Sequence, residues 1–508
     1  MSTPSTPRPF RLPRWVGLAL LLVAIELVYV ALITAGTFTD WPTWNTNYDL
    51  IAEGFRSGHL YIPIPPPPEL LARPNPFDWS NSNLWFRDAT LFGRHYYLYW
   101  GPFPALVLLG IKVVLRLHNV IGDQYVVFAS YTLLLIAGAL IIERLTRRLF
   151  PELPRALAGV GVVGLAFVSP TTFELGTPGI YQAAIAAAQA LLVLGLLFGF
   201  DAVWNASEAP PARWRLVAAG CAWAAAMGCR VTAVLPGAAF IVWTAYFASA
   251  GPVHRLRPRI VNALWLGAPV GAVGVALLVY NKLRFGSWFE LGVKYQLNTF
   301  PFVTSRKYLP LNLYSYLLRP LGRSCRFPFL AALYDIGARG FPKAMKWPPG
   351  YDAHEPQAGL FVTSPWTWLA VLALLFIARA VIRRARSPER WAPLDRAASA
   401  QAWCAGSFLA LATLMPLPLL PGYGTTMRYV ADFSTGMALL AVWGAWSGLA
   451  WLPAGWPRRV GIAVCVVLAA VTFLVAVLLG TQGYDEILKF HNPALYESLR
   501  HRLSFCGK

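Results

Sequence analysis

The run WVGLALLLVAIELVYVALITAG at residues 15–36 sets the class of fold. A bilayer core about 30 Å thick is crossed by roughly 20 apolar residues at 1.5 Å rise each. This run has that length, and its single ionisable group is Glu26. Thr37-Phe38-Thr39-Asp40 follows where a cleavage site would need small residues, so the run reads as a retained helix and not as a signal peptide. Glu26 is costly in hydrocarbon unless it faces other helices, which leads us to expect a paired, structural role for it.

Comparable runs recur at 124–142, 157–170, 181–200, 216–229, 231–249, 260–280, 365–382, 400–420, 434–452 and 459–480. The expected fold is therefore an all-α polytopic membrane protein with about eleven transmembrane helices. Composition agrees: of 508 residues, 57% are hydrophobic and 13% charged, and the mean hydropathy is +0.50.

Arginine fixes the parity of these spans. Arg8, Arg11 and Arg14 precede the first, and every second connection is again basic: Arg144, Arg147, Arg148 and Arg155; Arg213 and Arg215; Arg255, Arg257 and Arg259; Arg383, Arg384, Arg386, Arg390 and Arg396; Arg458 and Arg459. By the positive-inside rule these mark the cytoplasmic side, with the N-terminus cytoplasmic and the C-terminus outside. Residues 102–117 would invert everything downstream as a span, so we expect an interfacial or re-entrant helix there. As one helix, residues 216–247 would run roughly 48 Å, too long for one crossing. Two helices with a tight outer turn at Arg230 fit better.

The chain then divides into a cytoplasmic tail and first helix (1–36), a first outer loop (37–123), a helix bundle (124–280), a second outer loop (281–364), C-terminal helices (365–480) and an outer tail (481–508). Topology accounts for much of the net charge of +20. No basic module of a recognised kind is present, and nucleic acid is not an expected partner. The six cysteines form no CxxC pair or Cys/His cluster, so no cofactor is called for and a divalent metal is unsupported. Cys325 and Cys506 both fall outside, where an oxidising compartment permits a disulfide.

Two long loops rich in aromatic residues, proline and charge are unusual for a transporter, which keeps its polar groups at the midplane in broken helices. The first holds Asp40, Asp49, Glu53, Asp78 and Asp88, and its WSNSNLW stretch at 79–85 mixes rings and amides in a way that suits sugars. Residues 48–55, YDLIAEGF, have helical spacing and would lie at the membrane surface; Asp40 or Asp49 either caps this helix or meets a lipid-borne substrate. The second loop carries eleven lysines and arginines between Lys282 and Lys346 against Glu290, Asp335, Asp352 and Glu355, which implies an anionic partner. Arg428 and Arg230 lie at the same level, where a cation holds either a lipid-borne phosphate or a headgroup. There is no Walker loop, no GxGxxG opening a helix and no Asp-x-Asp pair, so a lipid-linked donor is expected over a nucleotide-linked one.

The order of these features resembles the membrane glycosyltransferases of the GT-C class, which include dolichyl-phosphate-mannose protein mannosyltransferases and bacterial aminoarabinose transferases. The residues that carry the likeness are YDLIAEGF at 48–55, SGHLY at 57–61, GRHYYLYWGP at 93–102, NKLRFGS at 281–287 and MRY at 427–429. The resemblance implies inverting transfer of a sugar from a polyprenyl-phosphate donor to a glycan, lipid or protein acceptor on the outer face of a bacterial inner membrane. It also implies an aspartate base in the first outer loop, often in an Asp-Glu pair. No such pair occurs here, which leaves Asp40 and Asp49 as candidates. Arg428 and Arg284, then Arg230 and Lys294, are the candidates for the donor phosphate, with Tyr429 beside them; Asp88 would hold the acceptor or order the loop. The alternatives are a lipid-linked sugar flippase, which needs polar residues along the bundle, and an oligosaccharide polymerase or ligase using the same arginines.

The topology is directly testable. A single cysteine introduced as Arg386→Cys should resist a membrane-impermeant maleimide in intact cells and react after permeabilisation. Labelling from outside would overturn the arginine parity.

Overall fold

The computed structural model describes residues 14–206, 211–249, 256–297, 303–333, 340–351, 355–390 and 392–506. Arg8, Arg11, Arg255, Arg339, Asp335 and Asp352 lie outside these residues. Among the described residues, apart from two short hairpins, the regular elements are helical. Among the described residues, eight helices are long and apolar enough to cross a membrane: Val16–Ile33, Asp123–Leu149, Ile180–Asn205, Leu256–Phe285, Pro365–Arg386, Arg396–Leu414, Met427–Trp451 and Trp456–Gly480. A ninth candidate is broken, Leu157–Ala166 and Ser169–Leu175 meeting at 52°. Pro170 opens its second half, the helix position at which a missing N–H costs least. The Arg213–Cys229 helix and the Val231–Phe247 segment are shorter and meet at Arg230, whose backbone is extended, as the expected turn there requires.

The long loops touch. Thr90–Phe92 and His95–Tyr97 form an antiparallel hairpin in the first, and Thr90 bridges to Gln296 in the second. The Leu297 amide donates to the Ala89 carbonyl at 2.8 Å, and the Asp88 amide to the Leu297 carbonyl at 3.2 Å. Both loops therefore lie on one face, and an even number of crossings must separate them. The three long helices between them, Asp123–Leu149, Ile180–Asn205 and Leu256–Phe285, need an odd number of further crossings, and the bent pair supplies one when the two short helices beyond it cross together or not at all and Phe103–Leu115 does not span. At 13 residues, or about 20 Å, that helix is too short to do so.

Burial sorts the spans. Ile180–Asn205 and Met427–Trp451 bury 83% and 78% of their apolar windows inside the protein, against 6% for Leu256–Phe285, which turns outward to lipid. A Cβ at Gly436 would lie 2.4 Å from the Ala412 amide nitrogen, and one at Gly444 2.4 Å from the Leu369 carbonyl oxygen. These glycines let Met427–Trp451 lie against its neighbours backbone to backbone, the close approach that stabilises helix pairs in lipid.

The apolar runs understate the helices. Glu174 and Asp432 fall just outside the expected spans yet inside helical segments, so the helices hold more ionisable groups than the apolar runs alone. Each is paired: Arg230 Nη2 donates to Asp432 at 2.6 Å, and the Tyr131 hydroxyl donates to Glu174. Glu26 accepts from the Thr132 hydroxyl at 3.1 Å, in line with its expected structural role.

On the loop face, the surface helix Asn47–Arg56 owes its start to neither Asp40 nor Asp49. Asp123, at the first turn of the next span, accepts from the amides of Asn47 and Tyr48, both at 3.2 Å. An acidic side chain 75 residues away satisfies two of the helix's free N–H groups, which corrects the expected cap. Lys112 of Phe103–Leu115 reaches across to Asp49 and Glu53, each at 2.7 Å, and its side chain and that of Asp49 are both 2% exposed. Its ammonium, donating to Glu53, holds that carboxylate below its usual range. Cys325 and Cys506, 181 residues apart, are disulfide-bonded.

Removing one partner of a buried ion pair strands the other. Lys112→Met should destabilise the protein by about 3–5 kcal/mol, and adding Asp49→Leu should recover part of the loss. Unfolding midpoints in detergent check both.

Candidate active site

The segment from Trp41 to Thr46, which has no regular structure, is pinned to the Asp123–Leu149 helix. The Asp123 amide donates to the Asn45 carbonyl at 2.9 Å, and Gln124 donates to the Thr43 hydroxyl at 3.0 Å. This brings Trp44 and Asn45 to the mouth of the bundle. There they line a cleft of about 270 Å³ with Asp88, Thr177, Gly179, Ile180, Tyr181, Gln182, Glu355, Arg428, Tyr484 and Asp485. The walls come from both loops, from the starts of the two most buried helices, and from the segment after the last span.

Arg428 is the cation of the cleft. It pairs with Glu355, and its guanidinium carbon lies 3.9 Å from the centroid of the Tyr181 ring and 5.7 Å from that of Tyr484. Aromatic faces on either side orient a guanidinium without neutralising it. Asp88 faces the same space. Its backbone is left-handed, with φ +62°, a conformation aspartate tolerates better than most residues. The Tyr181 hydroxyl donates to its carboxylate at 2.7 Å and accepts from Gln296 at 3.0 Å. Among the described residues Asp88 makes no ion pair. Burial pushes its carboxyl above the usual carboxylate range; the Tyr181 hydrogen bond and the Arg428 charge pull it back only in part.

Among the described residues, four polar atoms in this wall are buried without a hydrogen-bond partner: Trp44 Nε1, Asn45 Oδ1, Glu355 Oε2 and Arg428 Nε. One indole donor, one guanidinium donor and two acceptors suit a ligand bearing several hydroxyl groups. A larger groove of about 450 Å³, among Pro365–Arg386, Met427–Trp451 and Trp456–Gly480, has Arg379 as its one charged residue and is apolar. It offers no base and no hydrogen-bonding array, and we do not read it as the active site.

Of the residues singled out in the sequence, Asp88 and Arg428 meet at the cleft. Asp49 is locked to Lys112, and Asp40 is exposed; neither lines it. Arg230 serves Asp432. Arg284 is buried, donating to the Leu98 carbonyl at 2.5 Å and to Asn281 at 2.8 Å, with Tyr280 beneath it at 3.8 Å. Lys294 pairs with Glu290 at 2.7 Å on the surface, and Tyr429, one residue beyond Arg428, does not reach the cleft. Sequence reasoning missed Trp44, Asn45, Tyr181, Tyr484 and Asp485 as cleft residues. Nothing in a linear reading marks them out.

No family model matches the chain, and no curated protein sequence does either. Among solved structures, the apo oligosaccharyltransferase of Archaeoglobus fulgidus is similar over 93% of this chain and 57% of its own, with a TM-score of 0.51 at 12% identity. The chain has a GT-C-like fold. It spans little more than half the length of that enzyme. AglB from Archaeoglobus fulgidus, in complex with an inhibitory peptide and a dolichol-phosphate, covers 91% of this chain and 56% of its own at 14% identity and a TM-score of 0.49. ArnT from Cupriavidus metallidurans, bound to undecaprenyl phosphate, covers 95% and 80% at 13% identity and a TM-score of 0.38. At 12% identity the fold is what is shared with the apo oligosaccharyltransferase, and the chemistry has to be argued from this chain's own cleft.

Tyr181→Phe removes the hydrogen bond that favours ionised Asp88 and leaves its burial in place. The Asp88 titration should therefore move further upward, as read from the 13C resonance of its side-chain carboxyl. A downward shift would contradict the assigned geometry.

Proposed function

We propose that the chain is an inverting glycosyltransferase that takes a sugar from a polyprenyl-phosphate donor at the loop face, with Asp88 as general base and Arg428 on the donor phosphate. The observation that carries this reading is the meeting of an unpaired, hydrogen-bonded carboxylate and a ring-flanked guanidinium in one polar cleft at the mouth of a GT-C-like bundle. The acceptor hydroxyl attacks the anomeric carbon and its proton passes to Asp88. The bond from the anomeric carbon to the phosphate oxygen breaks, and the lipid phosphate leaves with the electron pair. Arg428 stabilises the charge that grows on that oxygen. The lipid chain stays in the bilayer beside the bundle. The positive-inside rule supports an outer loop face, with the arginine-bearing connections in the cytoplasm of a bacterial inner membrane.

This reading places the base at Asp88, in preference to Asp40 and Asp49. A base must be within reach of its substrate and free to take a proton. Asp49 is held by an ammonium at 2.7 Å and shielded from the cleft. A flippase would need a polar path through the bundle, whereas the ionisable groups there are engaged with one another: Arg230 with Asp432, Tyr131 with Glu174, and Arg144 and Arg148 with Asp201. Glycan, lipid and protein acceptors all present the hydroxyl or amide that such a cleft activates, and no cofactor enters the proposed reaction.

Purified protein in nanodiscs with a synthetic polyprenyl-phosphate sugar tests the assignment. Asp88→Asn should lower kcat by about 10²–10⁴-fold while donor binding persists, and Asp40→Asn should stay within about twofold of wild type. Because burial raises the Asp88 pKa, the acidic limb of the wild-type pH profile should lie above the ~3.9 of a free aspartate, with activity rising as pH increases through it. Full activity in Asp88→Asn would remove Asp88 from the mechanism.

A further inference from the structure

The last membrane helix ends at Gly480, but the chain beyond it turns back over the loop face. Ile487 and Leu488 are buried with Ala35 and Phe327. Asn492 donates to the Ala35 carbonyl at 3.0 Å and caps the Pro493–Leu503 helix, accepting from the Leu495 amide at 3.2 Å. Beyond that helix, the Phe327 amide donates to the Ser504 hydroxyl at 3.0 Å, Phe505 stacks on Phe329, and Cys506 is bonded to Cys325 of the second loop. This segment is anchored at both ends, and the cleft lies beside its first turn.

That turn holds Tyr484. Its amide donates to the Thr177 hydroxyl at 2.7 Å, and its ring meets Phe173 edge-on with centroids 4.8 Å apart. Its hydroxyl accepts from the backbone amide of Arg428 at 2.8 Å and shares a 2.7 Å hydrogen bond with the Thr426 hydroxyl. Arg428 is the second residue of Met427–Trp451, where a helix amide has no partner of its own. The N-cap side chain, Thr426, reaches that amide only at 3.4 Å. The better-placed acceptor comes from outside the helix, 56 residues further along the chain.

We infer that Tyr484 is a positioning residue for Arg428, and that through it the C-terminal segment sets the affinity of the cleft for a lipid-borne phosphate. Tyr484 fixes the backbone from which the guanidinium projects, and its ring forms one side of the aromatic pair around that guanidinium. The inference rests on the reading of Arg428 as the donor-phosphate cation. It adds that the tail is a working wall of the site.

The test uses the full-length protein in nanodiscs and a short-chain polyprenyl phosphate as the probe. Its dissociation constant is measured for wild type, Tyr484→Phe and Arg428→Gln, alongside kcat and KM for transfer. Tyr484→Phe keeps the ring and its contact with Phe173. It should raise the dissociation constant and the donor KM about tenfold, the worth of one such hydrogen bond, while kcat at saturating donor falls less than about threefold and the acceptor KM stays put. Wild-type affinity in Tyr484→Phe, with binding lost in Arg428→Gln, overturns the positioning role and leaves the donor reading standing. A loss of kcat at unchanged affinity also overturns it. Wild-type binding in Arg428→Gln removes both readings together. Should Tyr484→Phe prove unstable, Thr426→Val loosens the same link: weaker phosphate binding supports the inference, and unchanged binding overturns it.

Discussion

Hydrocarbon offers no water to a free amide, so lipid-facing backbone in a helical membrane protein has to be helical. Irregular structure, and with it most of the chemistry this chain can perform, is confined to the two faces. Parity then decides which segments share a face. The contact of Asp88 and Ala89 with Leu297 is possible only if an even number of crossings separates the first loop from the second. The starts of Ile180–Asn205 and Met427–Trp451 open on the same face, where they line one cleft with residues of both loops. A cleft whose walls come from five separated parts of the chain depends on this.

Within the bundle the same low dielectric sets a second condition. Arg230 and Asp432 sit where neither charge is tolerable alone, and each makes the other acceptable at 2.6 Å. A residue engaged in this way has little left to offer a ligand. The distinction separates two arginines that look alike in sequence, both close to helix ends and both flanked by apolar residues. Arg230 is consumed by the fold. Arg428, four residues before Asp432 on the same helix, is paired with the half-exposed Glu355 and lies against two rings, which leaves it oriented and only partly neutralised.

The architecture was largely legible in the sequence, and the cleft only in part. Apolar run length and arginine spacing are local properties, and together they located the helical segments, the turn at Arg230 and the short helix near residue 110. Pairing is not local. Asp49 looks like a free carboxylate at a membrane surface until Lys112, 63 residues away, folds against it, and the cap of the surface helix comes from Asp123. Tyr181, Glu355 and Tyr484 carry no motif, and they matter because three-dimensional packing brings them to Arg428. The boundaries of apolar runs misled in one respect: helices extend past them by a turn, and that turn is where Glu174 and Asp432 sit.

The contrast between Asp49 and Asp88 shows how environment assigns roles to chemically identical groups. Both belong to the first loop and both are largely removed from water. Asp49 is held in a buried ion pair by the Lys112 ammonium at 2.7 Å. Asp88 instead has a neutral phenol at 2.7 Å and a guanidinium that already has a partner. Its charge is destabilised by burial, so it holds a proton more readily than a free aspartate does, and proton uptake breaks no ion pair. A base in an acyl or glycosyl transfer site must gain a proton without dismantling its surroundings. Of the two carboxylates, only Asp88 meets that condition, and it does so because the loop that carries it is hydrogen-bonded to the second loop rather than to a lysine.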